Sequence, residues 1–421
     1  MALLPVELVL NVGSAAGFAM VFSLLASAII WNVGTWYFGL PASSSHALIG
    51  SILGVGRSNS LLTSGRGFGE GVNWAKASEV FASLLVSPII RFSCAAVLLI
   101  LFKKMVRKSE LFTPPEPGKT PPFWIRPTLL VTCTGVSFAY GSDDGQKGMG
   151  LLMLILIGVL PASFAVNVNM EPAELQELIS ASRGLDAYLR KSALVDRIDI
   201  EAARLELSSF IKPNRTLSPK LTSALISTIH AVIGLLAGKG ILADVRKESR
   251  ARLRSDLYLL DQAQSRLKAL GQYSSPEALA VMQRHTQILD TTTRFIPFWV
   301  KVAVALALGL GTMIGWKRIL VTVGEKIGKE HLTYPQGAAA ETVTMGTIAI
   351  ADSFGLPVST THVLSSGVAG TMAANHSGVN MVTLRSLLLA WILTFPVCVF
   401  VGAALFALGL NIIAATRLIA R

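Results

Sequence analysis

The sequence predicts an all-α, polytopic membrane protein that carries a helical soluble insertion. Three observations lead there. The 421 residues are 52% hydrophobic and only 15% charged, with a mean hydropathy of +0.57, whereas soluble domains carry about 25% charged residues. Apolar stretches at Phe81–Phe102, Phe295–Trp316 and Ser386–Leu410 approach or exceed the roughly 20 residues that cross a bilayer. Between them, residues 168–293 hold most of the Glu and Asp, with apolar residues at helical spacing in "ELQELISASRGLDAYL" and "RSDLYLLDQAQSRLKAL".

In chain order, residues 1–167 form the N-terminal membrane part, 168–293 the soluble helical insertion and 294–421 the C-terminal membrane part. The first part opens with an apolar run over Ala15–Leu40 and reaches Phe81–Phe102. A basic, Pro-rich connector follows at Phe102–Pro122. Leu129–Tyr140 and Leu151–Val166 read as two shorter segments flanking a polar break. In the insertion, Leu221–Gly238 is a marginal span. It is expected to pack within the soluble part. The N-terminus lacks the basic region of a cleavable signal peptide.

The net charge of +12 is not a nucleic-acid signature, because the cations flank apolar segments: Lys103, Lys104, Arg107 and Lys108 after one, Lys317, Arg318, Lys326 and Lys329 after another. That is the pattern of cytoplasmic loops of membrane helices. If Leu129–Tyr140, Leu151–Val166 and Phe295–Trp316 all cross, however, the two basic loops fall on opposite faces. Either one segment is re-entrant or Leu221–Gly238 crosses. Cys94, Cys133 and Cys398 all lie in apolar sequence and read as small buried hydrophobes. Arg91, within "SPIIRFSCAAV", is a functional candidate by virtue of its cost in a membrane. The alternatives are a snorkelling side chain or one that faces a protein cavity.

Residues 39–54 read GLPASSSHALIGSILG and residues 355–370 read GLPVSTTHVLSSGVAG. At an offset of 316 the Gly, Leu, Pro, first Ser, His, Leu and last Gly coincide. Such a match marks an internal duplication, and duplicated Gly/Pro-interrupted apolar segments point to a transporter's binding site. Gly and Pro end the preceding helix. The Ser/Thr cluster then suits the start of a new one. Broken backbone survives at membrane depth only in a cavity or in protein, so two re-entrant hairpins are expected near 39–57 and 355–374. A helix N-terminus attracts an anion, and hydroxyls donate and accept as a protonated phosphate does. With no Lys or Arg in either phrase, such a cage holds phosphate weakly enough to release it. Ser/Thr that merely glue helices are the competing reading. His46 and His362 either shuttle protons or fix their own hairpins.

A second motif, "FAYGSDDGQKGMG" at Phe138–Gly150, puts Asp143, Asp144, Gln146 and Lys147 in the polar break. Carboxylates beside unwound backbone are natural ligands for Na⁺ or a proton. An ordinary polar turn is the alternative.

With these residues assembled, the chain resembles the inorganic phosphate transporter (PiT) family of the bacterial low-affinity type, over nearly its whole length. The resemblance rests on "AMVFSLLASAIIWNVGTWYFGLPASSSHALIG", "PPFWIRP", "GSDDGQKGMGLLMLILIGVLP", "GLGTMIGWKRI" with "GEKIGK", and "PVSTTHVLSSGVAGTMAA". It implies two inverted repeats enclosing phosphate and a coupling cation near mid-membrane. It also implies phosphate contacts from Ser43, Ser44, Ser45, Ser359, Thr360 and Thr361, and a cation or proton at Asp144. The expected coupling set is Asp143, Asp144, Gln146, His46 and His362, with H⁺ or Na⁺ as coupling ion and a divalent metal travelling with phosphate in some members. No resident cofactor or protein-bound metal is expected. The implied location is the bacterial inner membrane, multi-pass, with lipid and inorganic phosphate as partners and a homo-oligomer left open.

Two departures from the family pattern stand out. An Asn-Asp motif expected before Gly39 is absent, which suggests an N-terminally shortened chain. The motif that is present reads Gly141-Ser142-Asp143-Asp144, where the family has Ala and Asn in the middle. Like charges repel in a low dielectric, so Asp143 is expected to be protonated, cation-bound or turned away. The function so read is secondary-active phosphate symport. The alternatives are a non-transporting remnant of such a transporter and, more distantly, an intramembrane Ser/His hydrolase. The hydrolase lacks a G-x-S-x-G elbow, and no phosphate-binding loop for an ATP-driven pump occurs.

Overall fold

A computed structural model describes residues 10, 13–64, 74–106, 109–115, 120–192, 196, 198–212, 217–272, 275–355 and 358–419. Among them the chain is helical, without named strands. In chain order the main helices are α1 (Ala15–Tyr37), α2 (Ser44–Ser64), α3 (Trp74–Met105), α4 (Arg126–Val159), α5 (Pro172–Ser192), α6 (Ile200–Phe210), α7 (Leu221–Leu236), α8 (Lys247–Ala269), α9 (Pro276–Thr293), α10 (Phe298–Val321), α11 (Tyr334–Ser353), α12 (Thr360–Asn375) and α13 (Met381–Ile419). They fall into two compact units: one comprises Ala19–Gly150 and Trp299–Arg421, the other Leu151–Phe298 with residues 10 and 13–18.

Among the described residues, four helical stretches are long and apolar enough to cross a membrane: Ala15–Tyr37, Phe81–Met105, Phe298–Lys326 and Met381–Thr416. Their outward faces carry exposed side chains such as Phe22, Ile89, Ile314 and Ile392, which a soluble protein would bury but hydrocarbon accepts. Cys94 and Cys133 are likewise exposed, and only Cys398 is buried. The expectation of three buried thiols fails for two of them, because an apolar helix facing lipid need not turn its sulfur inward.

The two copies of the repeated phrase adopt the same local structure. α1 ends at Tyr37 and α11 at Ser353. Gly39 and Gly355 then take left-handed φ values of 67° and 63°, and new helices start at Ser44 and Thr360. Each pair of positions is 316 residues apart. Left-handed backbone suits Gly because any Cβ there clashes with the following carbonyl. Leu356 and Pro357 of the second phrase lie outside the described residues.

The two helices that follow are held by mutual exchange. α2 packs on α13, and α12 packs on α3. Glycines set both distances. A Cβ on Gly54 would lie 2.1 Å from the Val399 carbonyl oxygen, and one on Gly370, its equivalent, 2.2 Å from that of Phe92. Both receiving helices contain an internal proline, Pro88 and Pro396. Each copy's helix therefore rests on a long proline-containing helix from the other end of the chain.

α4 corrects the expected polar break. It is one helix of 34 residues, running through Gly141–Gly148 without interruption. On a helix, Tyr140, Asp143, Asp144 and Lys147 stand at i, i+3, i+4 and i+7 and share a face. Lys147 partners both carboxylates there, so their charges do not require the backbone to unwind.

The second unit has its own core. Leu175, Leu178, Leu185 and Leu189 of α5 meet Leu225, Ile229 and Val232 of α7 and Leu253, Leu257 and Leu260 of α8. Helical spacing puts each set on one face. α7 is thus a core helix of this unit, with nine buried residues. The buried Asp256 is held by two bonds from Arg204, Nε to Oδ1 at 2.7 Å and Nη2 to Oδ2 at 2.8 Å. The compact unit begins at Leu151 within α4, earlier than the boundary at residue 168 that composition suggests.

Candidate functional site

The loops that open α2 and α12 meet face to face. Ser43 Oγ accepts the His46 amide at 3.1 Å, and Ser359 Oγ accepts the His362 amide at 3.3 Å. These are matching N-caps, each satisfying a free N–H of the first turn. Across the junction, Ser45 Oγ donates to the Val358 carbonyl at 2.9 Å, and Thr361 Oγ1 donates to the Ala42 carbonyl at 3.0 Å. Applying the 316-residue offset turns one bond into the other. Such reciprocity is what a local two-fold axis between two equal elements produces. The imidazoles of His46 and His362, also equivalent, lie 4.6 Å apart.

The histidines themselves are unlike in their partners. His46 Nδ1 is 2.7 Å from Ser43 Oγ, within its own N-cap. His362 stacks on the Trp391 ring at 4.0 Å, and its buried Nε2 has no hydrogen-bond partner among the described residues. Trp391 Nε1 donates to the Pro41 carbonyl at 3.1 Å. One indole thereby packs on the second phrase and bonds the first.

The α4 face abuts the second phrase. Tyr140 OH donates to the Thr360 carbonyl at 2.8 Å, and Thr360 Oγ1 lies 3.5 Å from Asp144 Oδ2. Lys147 Nζ is 2.5 Å from Asp143 Oδ2, 3.2 Å from Asp144 Oδ1 and 3.4 Å from the Val358 carbonyl. The fate expected for Asp143 is therefore met by an internal cation: its carboxylate is buried beside an ammonium. Among the described residues nothing plays the part of Asp144 beside Ser44, which is exposed, whereas its equivalent Thr360 is buried.

The residues singled out from sequence thus separate into groups. Ser43, Ser45, His46, Ser359, Thr360, Thr361 and His362 come together, with Asp143 and Asp144 against the second phrase. Of the expected phosphate ligands, Ser44 faces away from this junction's interior. Gln146 is also exposed, and none of the hydrogen bonds around the α4 face involves it. Its position explains this: at about 100° per residue it points roughly 160° away from Asp144 around the helix. The engaged hydroxyls already have protein partners. Among the described residues no three His, Cys, Asp or Glu side chains cluster as metal ligands.

Four participants were not assigned a role from sequence. Lys147 was named with the motif but given no role, and Tyr140 joins it only when the motif is read as helix, since i, i+3, i+4, i+7 spacing then collects both. Trp391 carried no local signal. Glu341 of α11 accepts from Thr132 Oγ1 at 2.5 Å and lies 3.2 Å from Cys133 Sγ, joining α11 to α4. Arg91, by contrast, was singled out, and it does not snorkel. It is 2% exposed, its Nε donates to Thr347 Oγ1 at 3.0 Å, and its buried Nη1 has no partner among the described residues. Tyr140, Asp143 and His362 lie within electrostatic range of it.

Comparison with known proteins finds a family and several relatives. The profile of the "Phosphate transporter family" matches residues 4–402. The low-affinity inorganic phosphate transporter PitB of Escherichia coli K12 is 38% identical over 98% of this chain and 84% of its own length. PitA of the same organism is 39% identical over 97% and 84%. A probable low-affinity inorganic phosphate transporter of Bacillus subtilis is 25% identical over 92% and 73%. Among solved structures, "The sodium-dependent phosphate transporter" aligns with 93% of this chain and 79% of its own at 19% identity. Its TM-score of 0.44 is too low to carry an argument.

Proposed function

Because the chain belongs to the phosphate transporter family, we propose that it moves inorganic phosphate across the bacterial inner membrane, through a site formed where its two repeated phrases meet. The family and its relatives are transporters rather than enzymes, which removes the hydrolase alternative. One observation carries the reading: the reciprocal bonds Ser45–Val358 and Thr361–Ala42, which bring two equal hydroxyl-rich helix N-termini to one point. Two such termini offer an anion free N–H groups and partial positive charge from both sides.

In this reading Ser43, Ser45, Ser359, Thr360 and Thr361 exchange their protein bonds for phosphate oxygens. The two halves form an inverted repeat, with the phrases as re-entrant hairpins that alternate access to the two membrane faces. Transport is secondary-active symport driven by a proton or sodium gradient, with phosphate travelling alone or as a neutral metal complex. Asp144, through Thr360, links the ion to the substrate. A single α4 crossing also removes the sidedness conflict, since the basic loops after α3 and α10 then share one face.

The test is uptake of labelled phosphate by proteoliposomes. Ser359→Ala combined with Thr360→Ala should abolish uptake while leaving membrane insertion intact. Normal uptake by the double variant would sink the site assignment. An unsubstituted protein that inserts but does not take up phosphate would be the non-transporting remnant instead.

A further inference from the structure

The ammonium of Lys147 occupies a position made of oxygens. It meets one carboxylate oxygen of Asp143 at 2.5 Å, one of Asp144 at 3.2 Å and the backbone carbonyl of Val358 at 3.4 Å. Two of these come from α4 and the third from the loop that opens α12. Carboxylate and carbonyl oxygens are the ligands a hard cation takes, and unwound loop carbonyls coordinate Na⁺ in transporters with interrupted helices.

An ordinary i,i+4 ion pair on a helix surface does not describe this arrangement. Such pairs are exposed and contribute little. Here the Asp143 side chain is 8% exposed and that of Lys147 22%. Lys147 also reaches a backbone carbonyl 211 residues away in sequence, and that carbonyl is the one Ser45 binds from the first phrase. The ammonium is therefore wired to both carboxylates and to the junction of the two phrases.

We infer that Lys147 is a tethered cation: its ammonium fills the position between Asp143, Asp144 and the Val358 carbonyl that would otherwise admit a sodium ion, so transport by this chain needs no sodium there. This rests on the phosphate-transport reading and specifies its ion requirement. The physical basis is charge. Asp143 and Asp144 are adjacent in sequence, and without a cation between them one must take up a proton or turn away. Lysine supplies one positive charge at fixed effective concentration, with three donors for three oxygens. Arginine in the same place keeps the charge. Glutamine keeps the length and loses it.

The experiment compares the unsubstituted protein, Lys147→Arg and Lys147→Gln in proteoliposomes, with sodium or choline as the external cation. Thermal unfolding of each in detergent is followed in parallel with the same two salts and no phosphate. The unsubstituted protein should take up phosphate equally in both salts and show no sodium-specific rise in unfolding temperature. Lys147→Arg should behave likewise at a reduced rate. Lys147→Gln should lose uptake in choline, regain it in sodium, and gain a sodium-specific rise in unfolding temperature.

Sodium-dependent uptake by the unsubstituted protein overturns the inference, as does full activity of Lys147→Gln in choline. A Lys147→Gln protein that is inactive in both salts and not stabilised by sodium also overturns it, leaving the lysine a purely structural tie. The unfolding measurement contains no phosphate. Sodium stabilisation of Lys147→Gln in a protein that moves no phosphate would therefore reject the transport reading and keep the tethered cation.

Discussion

Ser45 and Thr361 make the same hydrogen bond in opposite senses. Ser45 donates to the carbonyl of Val358, three residues before Thr361. Thr361 donates to the carbonyl of Ala42, three residues before Ser45. Both bonds join segments more than 300 residues apart, so they exist only once the two halves of the chain have closed on each other. Ser45→Ala and Thr361→Val should therefore destabilise the closed junction by similar amounts, about 1 kcal/mol each. Unfolding in detergent measures this. A difference of several-fold between the two would show that the contacts are not equivalent.

The close approach of Gly54 to Val399 and of Gly370 to Phe92 sets a second expectation. Added Cβ atoms would overlap backbone carbonyl oxygens, which cannot swing aside as a flexible side chain does. Gly54→Ala and Gly370→Ala should each cost about 3 kcal/mol, toward the upper end for overpacking. Gly141→Ala is the control. It lies within α4 with nothing within 4 Å of its missing Cβ, and should stabilise the helix by about 0.5–1 kcal/mol. Thermal unfolding of the three variants tests the contrast.

Arg91 and Thr347 should respond unequally to removal. Thr347→Val leaves a buried guanidinium with neither Nε nor Nη1 partnered, a loss of about 1–3 kcal/mol. Arg91→Met removes the buried charge and fills its volume, and should be neutral or stabilising. Unfolding temperatures in detergent decide the order. If Arg91→Met is the more damaging, the guanidinium holds the fold through Asp143 and Tyr140 rather than through Thr347.

His285 gives the second unit a pH dependence. It is fully buried between Ser182 and Gln264, and burial lowers its pKa from 6.5 to about 4. Above pH 6.5 both folded and unfolded forms are neutral there. As pH falls below 6.5 the unfolded chain takes up a proton that the folded unit refuses until about pH 4. Stability should therefore decline across that window and level off beneath it. At about 1.4 kcal/mol per pKa unit the full decline is roughly 3 kcal/mol. Hydrogen exchange of α5, α8 and α9 amides at pH 7, 6 and 5 measures it. His285→Gln should flatten the dependence, and an unchanged slope would assign it elsewhere.

Much of this protein is written in local sequence. Apolar runs of bilayer length predict the four candidate spans, since transfer of side chains into hydrocarbon depends on composition alone. The offset of 316 residues predicts two equal helix starts. Ser43 and Ser359 cap them because the cap is a bond from residue i to residue i+3, within one turn. The family, too, was legible in these phrases.

What local sequence left undecided is what depends on long-range closure. Whether "GSDDGQKG" unwinds or stays helical turned on a partner for its charges, and in the helix Lys147 supplies one at i+4 and i+3. Gln146 and Ser44 share the composition of their neighbours, yet the helix turns them outward. The reciprocal bonds of Ser45 and Thr361, the stacking of Trp391 on His362 and the anchoring of Arg91 by Thr347 join residues from different helices. Composition and spacing report the free energy of a segment. Which polar group meets which across the membrane part is decided by how the helices pack, where an unmatched donor or charge is costly and has few places to go.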